Sequence, residues 1–166
     1  MSFKSQRGEM QIREALTADI SIMAAHHGKM FEEIWEHKGE HLQPARIAEI
    51  EKAYSQKLET EMEGGTCRAW IVEDEGQVVA SGAMTFVSFV PNPSDLSSKV
   101  AYLHSMYTEK PQRNKKCAQR IIHNMIIYCR SHGIKRVLLN ASDAGQPVYH
   151  KLGFRSAPDT MRLFVE

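Results

Sequence analysis

The sequence predicts a single mixed α/β domain, and three observations predict it. At 166 residues with 42% hydrophobic content, the chain is long enough to bury one continuous core without cross-links. Its apolar residues switch repeatedly between the two-residue period of strands and the 3.6-residue period of helices. The switches fall at clusters of Gly, Pro, Asn and Asp, with no internal repeats or low-complexity tracts. The resulting order is β-α-α-β-β-β-α-β-α-β, which builds one sheet of six to seven strands.

Residues 1–9 are polar and read as an extension before a single domain over residues 10–166. Met10 to Glu14 alternates apolar and polar side chains as a strand does, and Thr17 to Asp19 supplies a helix start before a periodic segment reaching about His37. Gln43-Pro44 opens a second helix, with Ile47, Ile50, Tyr54, Leu58 and Met62 on one face and Gly64-Gly65 after it. Cys67 to Glu73 and Gln77 to Val90 flank Asp74-Glu75-Gly76, the pattern of an antiparallel hairpin. Pro91 to Asp95 breaks the run, and Lys99 to Thr108 resumes it as a strand.

Residues 114–132 place Ala118, Ile121, Ile122, Met125, Ile126 and Cys129 on one helical face, and Gly133 ends them. Arg136 to Ala141 reads as a buried strand and residues 144–152 as a short helix ending at Gly153. One or two closing strands are expected around Pro158-Asp159 in the segment from Phe154 to Glu166.

Charge and cysteine content narrow the function classes. Lys and Arg total 21 against 20 for Asp and Glu, so no whole-protein field draws in nucleic acid or an anionic membrane. The Lys110 to Arg120 cluster is then a local feature rather than a nucleic-acid footprint. No stretch approaches the roughly 20 apolar residues that span a bilayer, and no apolar leader opens the chain. Cys67, Cys117 and Cys129 form no CxxC pair, which points to a reducing, cytoplasmic setting. His37 and His41 share helical ligand spacing, but no HExxH pattern accompanies them and no metal site is expected.

The informative stretch runs from Leu103 to Ala118, a strand that passes through a basic loop into a helix. A helix N-terminus presents unpaired amide N–H groups and the positive end of a dipole, so phosphates bind there readily. Arg113, Lys115 and Lys116 add charge at that point.

Residues 140–154 then carry Tyr149 in a short helix followed by Lys151, Gly153 and Phe154, and here the chain resembles the Gcn5-related N-acetyltransferase (GNAT) superfamily. Its members carry a Tyr and then Lys-x-Gly-Phe in this place, and upstream an Arg/Gln-x-x-Gly-x-Gly/Ala loop whose outer positions are matched by Arg113 and Ala118. Asn114 and Lys116 stand where Gly is common in the family, and a Cβ there threatens the close approach of backbone to pyrophosphate.

The resemblance implies a sheet splayed between the fourth and fifth strands and acetyl-CoA as co-substrate. Its pantetheine would pair with Met106, Tyr107 and Thr108, and its pyrophosphate would rest on amides from Arg113, Asn114, Lys115, Lys116, Cys117 and Ala118. It further implies transfer of acetyl to a primary amine by direct attack, with Tyr149 as acid for the departing thiolate. His104 is a candidate base, since Leu103-His104 is similar to the strand histidine of the arylalkylamine N-acetyltransferases. Asn140 and Ser142 fall where the family often places a cofactor-contacting Asn.

The acceptor, a small-molecule or peptide amine, is expected between the first two helices and the loop at 91–98, near His26, His27, Glu32, Glu33, Trp35, Glu36 and His37. Cys117 is read as packing, because direct transfer needs no acyl-enzyme. The family also forms homodimers. The competing reading is a non-catalytic CoA-binding sensor, suggested by Lys116 in the glycine position.

Overall fold

The computed structural model describes residues 9–157 and 159–165, so the extension expected at the N-terminus lies, apart from Glu9, outside the described residues. Strands and α-helices follow in chain order as β1 (Gln11–Glu14), α1 (Ile20–His37), α2 (Pro44–Glu63), β2 (Cys67–Asp74), β3 (Gln77–Ser88), β4 (Lys99–Thr108), α3 (Cys117–Ser131), β5 (Arg136–Leu139) and α4 (Gln146–Lys151), with short 3-10 turns at Thr17–Asp19 and Lys110–Gln112. The strands lie side by side in sequence order, antiparallel from β1 to β4, with β5 parallel to β4.

Strand alternation divides the core into two layers. Cys67, Ala69 and Ile71 of β2 face Met23 and Ala24 of α1 and Tyr54 and Leu58 of α2. Trp70 and Val72, one residue out of phase, face Ile121, Ile122, Met125 and Cys129 of α3. The two-residue turn between β2 and β3 holds Glu75 at φ 51° and Gly76 at φ 78°, the mirror-image turn whose twist suits a hairpin. Asp19 does not cap α1 by its side chain. It accepts the Leu16 amide at 2.7 Å and pairs with Arg13 at 2.8 Å, closing the turn that leads into the helix.

The closing strands do not form: residues 154–157 and 159–165 make no strand, and the sheet has five strands among the described residues rather than six to seven. β5 is paired along only four residues, and α3 packs mainly on β2, β3 and β4, so little covers the outer edge of β5. Leu163, Phe164 and Val165 are consecutive, which would point apolar groups to both faces of a strand, and each stays more than 80% exposed.

Further boundaries shift: β3 ends at Ser88 rather than Val90, and β5 ends at Leu139 rather than Ala141 and is only partly buried. The third helix begins at Cys117 rather than 114, and the last spans Gln146–Lys151 rather than 144–152. No helix among the described residues is long and apolar enough to cross a membrane.

Candidate active site

A bulge in β4 creates the site. Ala83 pairs with His104 and Ser81 with Tyr107, so Gly82 alone opposes both Ser105 and Met106. Ser105 takes the extra turn at φ 56°, which sends His104 and Ser105 to the same face, toward α1 and α2. Met106 goes to the other face and lies over Gly82, where an added Cβ would meet its Sδ at 2.1 Å. A side chain at position 82 would therefore have to displace the Met106 thioether from the strand.

The pairing of β5 stops at Leu139 opposite Leu103, so His104 to Thr108 have no strand beside them on that edge among the described residues. This is the expected splay between the fourth and fifth strands. Met106, Tyr107 and Thr108 lie along the open edge. The Tyr107 ring turns toward α1, donates its hydroxyl to Glu33 at 3.1 Å, and is pushed up to about 12 by burial and the nearby carboxylates. The Thr108 carbonyl accepts Nε of Arg113 at 2.9 Å.

Beyond the open edge, Asn114 and Lys116 both adopt left-handed backbone, at φ 63° and 64°. The two positions where glycine is common in the family thus keep a glycine-like conformation despite their side chains. Lys116 is the N-cap of α3 and makes no side-chain cap. The amides of Asn114, Lys115, Lys116, Cys117, Ala118 and Gln119 donate to no group among the described residues, so a run of N–H donors sits uncommitted at a helix N-terminus. The Arg113 guanidinium bonds both oxygens of Glu33, at 2.8 and 2.9 Å, and lies 5.5 Å over the Tyr107 ring. Cys117 is buried against Met10 and the Gln112 carbonyl, and burial raises its pKa, which suits packing.

Tyr149 stands on α4, edge-on to Phe154 at 5.7 Å and packed against the α3-side core. Burial pushes its hydroxyl up to about 12, so it is a phenol, able to donate a proton, at neutral pH. Ser142 spends its hydroxyl locally, accepting the Gly145 amide at 3.2 Å to shape the turn before α4. Asn140 is exposed just past the end of β5.

On the opposite face His104 is held at three points. Its Nε2 lies 2.9 Å from Thr85 Oγ1, and its Nδ1 lies 3.1 Å from the Tyr54 hydroxyl and 3.3 Å from Ser105 Oγ. Burial, with Lys57 close by, pushes its pKa down to about 4, so the ring is neutral at pH 7. His27 stacks on Tyr54 at 3.9 Å, lies 2.8 Å from Ser105 Oγ, and is also lowered to about 4 by burial.

Above these rings a pocket of about 460 Å³ opens between α1 and α2, walled by Phe31, Trp35, Leu42, Ile50 and Tyr54 and edged by Arg46 and Lys57. The first two helices frame it, and the loop at 91–98, expected to share in an acceptor pocket, does not line it. That loop instead anchors β5, with buried Asp95 accepting Nε of Arg136 at 2.8 Å. The acidic cluster anticipated near the acceptor is partly committed, since Glu33 is bonded by Arg113 and Tyr107. His37 ends α1 and His41 lies beyond it, so their helical ligand spacing is lost.

Sequence reasoning read Tyr54 only as a core position and did not single out Glu61, Thr85 or Ser105. Their partners lie 19 to 78 positions away in the chain, apart from the local His104–Ser105 and Lys57–Glu61 pairs, and no local pattern marks such pairings.

The model of the acetyltransferase (GNAT) family matches residues 23–154. By sequence, the chain matches no curated protein. Among solved structures it is similar to a predicted acetyltransferase with acetyl-CoA from Clostridium acetobutylicum, at 24% identity and a TM-score of 0.83 over 94% of this chain and 96% of that one. A GCN5-related N-acetyltransferase from Ralstonia eutropha aligns with the same score at 20% identity, over 94% and 99% of the two chains. Glucosamine-6-phosphate N-acetyltransferase from Arabidopsis thaliana aligns at 15% identity and a TM-score of 0.68, over 96% and 100%. At these identities the likeness is one of fold.

Proposed function

The chain belongs to the acetyltransferase (GNAT) family, and on that premise we propose that it transfers acetyl from acetyl-CoA to a primary amine by direct attack. One observation carries the reading: the unpaired edge of His104 to Thr108 leads directly into the uncommitted amides of Asn114 to Gln119. An extended chain of amides matches the first feature and a diphosphate the second, and coenzyme A contains both in that order. The left-handed backbone at Asn114 and Lys116 favours this fit, because it turns successive N–H groups toward one side.

Tyr149, a phenol at neutral pH, is the proton donor for the departing thiolate. The acceptor enters between α1 and α2. Its walls there are aromatic and aliphatic and its rim carries Arg46 and Lys57, so the favoured acceptor joins its amine to an apolar body rather than to further positive charge. The cysteines Cys67, Cys117 and Cys129 are all free and buried, which supports a reducing, cytoplasmic location.

Calorimetry with acetyl-CoA and thiol release across a panel of aryl- and alkylamines, amino acids and polyamines tests the reading. We expect saturable binding and turnover that favours apolar amines. Binding without turnover on any amine would instead support a CoA-sensing module, and no binding at millimolar concentration would remove both.

A further inference from the structure

We propose that Tyr54, His104, Thr85 and Glu61 form a one-directional proton relay that carries the acceptor amine's proton from the α1–α2 pocket to solvent at Glu61. The proposal rests on the acetyltransfer reading above and adds to it a route for the proton that the amine must lose.

The direction follows from hydrogen ownership along the chain. Glu61 Oε2 lies 2.8 Å from Thr85 Oγ1, and as a carboxylate it can only accept, so the single Thr85 hydrogen is committed to it. Toward His104 Nε2, at 2.9 Å, Thr85 can then only accept, which places the imidazole hydrogen on Nε2. The Nδ1 of that neutral ring is left as an acceptor, and the Tyr54 hydroxyl donates to it at 3.1 Å. Tyr54 itself lines the pocket. Every donor in the series therefore points away from the pocket and toward Glu61, which is 24% exposed at its side chain.

The charged and titratable groups around the chain are consistent with that polarity. Lys57 pairs with Glu61 from the same helix. Burial would raise Glu61, but its bonds to Lys57 and Thr85 outweigh this and hold it below the usual carboxylate range. His27 on α1 and Cys67 on β2 face the same interior, His27 lowered to about 4 and Cys67 pushed up to about 11, both chiefly by burial, so both are neutral at pH 7. A low-pKa imidazole is a poor resting base but an adequate conduit, because it need hold two protons only in transit.

The step balances. As the N–C bond to acetyl forms and the C–S bond breaks, the amine proton passes to the Tyr54 oxygen and the Tyr54 proton to His104 Nδ1. The Nε2 proton passes to Thr85 Oγ1, and the Thr85 proton to Glu61 Oε2. Glu61 then releases it to water, while the thiolate is protonated separately. Between turnovers, loss of the Nδ1 proton, uptake of one at Nε2 and rotation of the Tyr54 and Thr85 hydroxyls restore the starting state.

Three variants test the relay on the whole chain with acetyl-CoA and the best amine of the panel. Glu61→Gln keeps an acceptor for Thr85 but cannot take a proton, and Thr85→Val cuts the chain one link earlier. Each should lower kcat about 10- to 100-fold at pH 7 with KM little changed, and the loss should shrink to within about threefold near pH 9.5, where hydroxide can take the amine proton. The double variant should be no slower than the slower single one, and Thr85→Ser should restore the rate.

A loss equal at every pH, additive losses, or unchanged kcat in both variants would overturn the relay. Imidazole ¹⁵N resonances of the free protein at pH 7 give a readout that needs no turnover: His104 should be the neutral Nε2–H tautomer, and an Nδ1–H tautomer or an imidazolium overturns the relay by itself. Wild-type protein that turns over no amine strikes the acetyltransfer reading first, so the two failures are distinguishable.

Discussion

The two faces of β4 solve opposite problems. On the side of α3, the edge from His104 to Thr108 and the amides of Asn114 to Gln119 leave donors and acceptors without partners among the described residues. On the side of α1 and α2, side chains from α1, α2, β3 and β4 converge until Tyr54, His104, Thr85 and Ser105 each have a partner. An open backbone surface suits a ligand that brings its own amides and phosphates. A closed side-chain network suits fixed proton positions, because in a low dielectric an unpaired polar group there would be costly. The bulge at Ser105 lies just past Leu103, where pairing with β5 stops, and points two consecutive side chains toward α1 and α2.

If the difference is as described, acid between pH 6.5 and 4 should act first on the buried histidines of the closed side, where burial lowers His26 as well as His27 and His104. His27 and His104 each sit near 4 when folded and near 6.5 when unfolded, so between those values the unfolded chain binds more protons. Their contribution is complete above pH 6.5 and is lost as pH falls through 4. Together the two rings should remove on the order of 3 to 6 kcal/mol of stability over that interval. Urea midpoints at pH 7, 5.5 and 4 measure it, and His27→Gln should flatten the curve; a wild-type curve that is flat from 7 to 4 rejects buried, neutral rings.

Packing gives the next largest contrast. Leu58 is fully buried between α2 and the sheet, so Leu58→Ala should cost about 3 kcal/mol, read by urea unfolding. Its surroundings belong to the α1–α2 layer, not to the open edge. Affinity for acetyl-CoA, measured below the new unfolding midpoint, should therefore stay within about threefold of wild type. A tenfold loss would show the two faces to be mechanically coupled.

On the open side, Tyr149→Phe removes one hydroxyl and should lower kcat about 100-fold with little change in coenzyme affinity, followed by thiol release. A rate unchanged within about threefold would leave Tyr149 as a packing residue against Phe154.

These contrasts also explain what could be read from the sequence. The open side is local: Arg113 to Ala118 and Tyr149 to Phe154 are short segments whose order and glycine, lysine and tyrosine content mark them. The splay after Leu103 was likewise expected from family resemblance. The closed side is built by contacts across 50 residues between Tyr54 and His104 and 24 between Glu61 and Thr85, and a helix position such as Tyr54 looks like any other core residue. The missing closing strands have a related cause. Leu163 to Val165 have strand propensity, but a strand also needs cover for its faces, which a segment cannot reveal about its neighbours.

The smallest effect concerns Lys116. Its φ of 64° crowds Cβ against the following carbonyl, at a cost of about 1 to 2 kcal/mol for an L-residue. Lys116→Gly removes that crowding but frees the unfolded chain by about 0.5 to 1 kcal/mol, so the net stabilisation should be under about 1 kcal/mol. A thermal midpoint higher by a few degrees would record it. Lys116→Val, β-branched at the same φ, should be less stable than wild type. The instructive quantity is coenzyme affinity. If backbone amides hold the diphosphate, Gly at 116 keeps them in place and calorimetry should find affinity unchanged or a few-fold tighter despite the lost charge. Should Lys116→Gly bind acetyl-CoA more than tenfold weaker, the ammonium group rather than the turn holds the phosphate, and the open side would be a site of side chains after all.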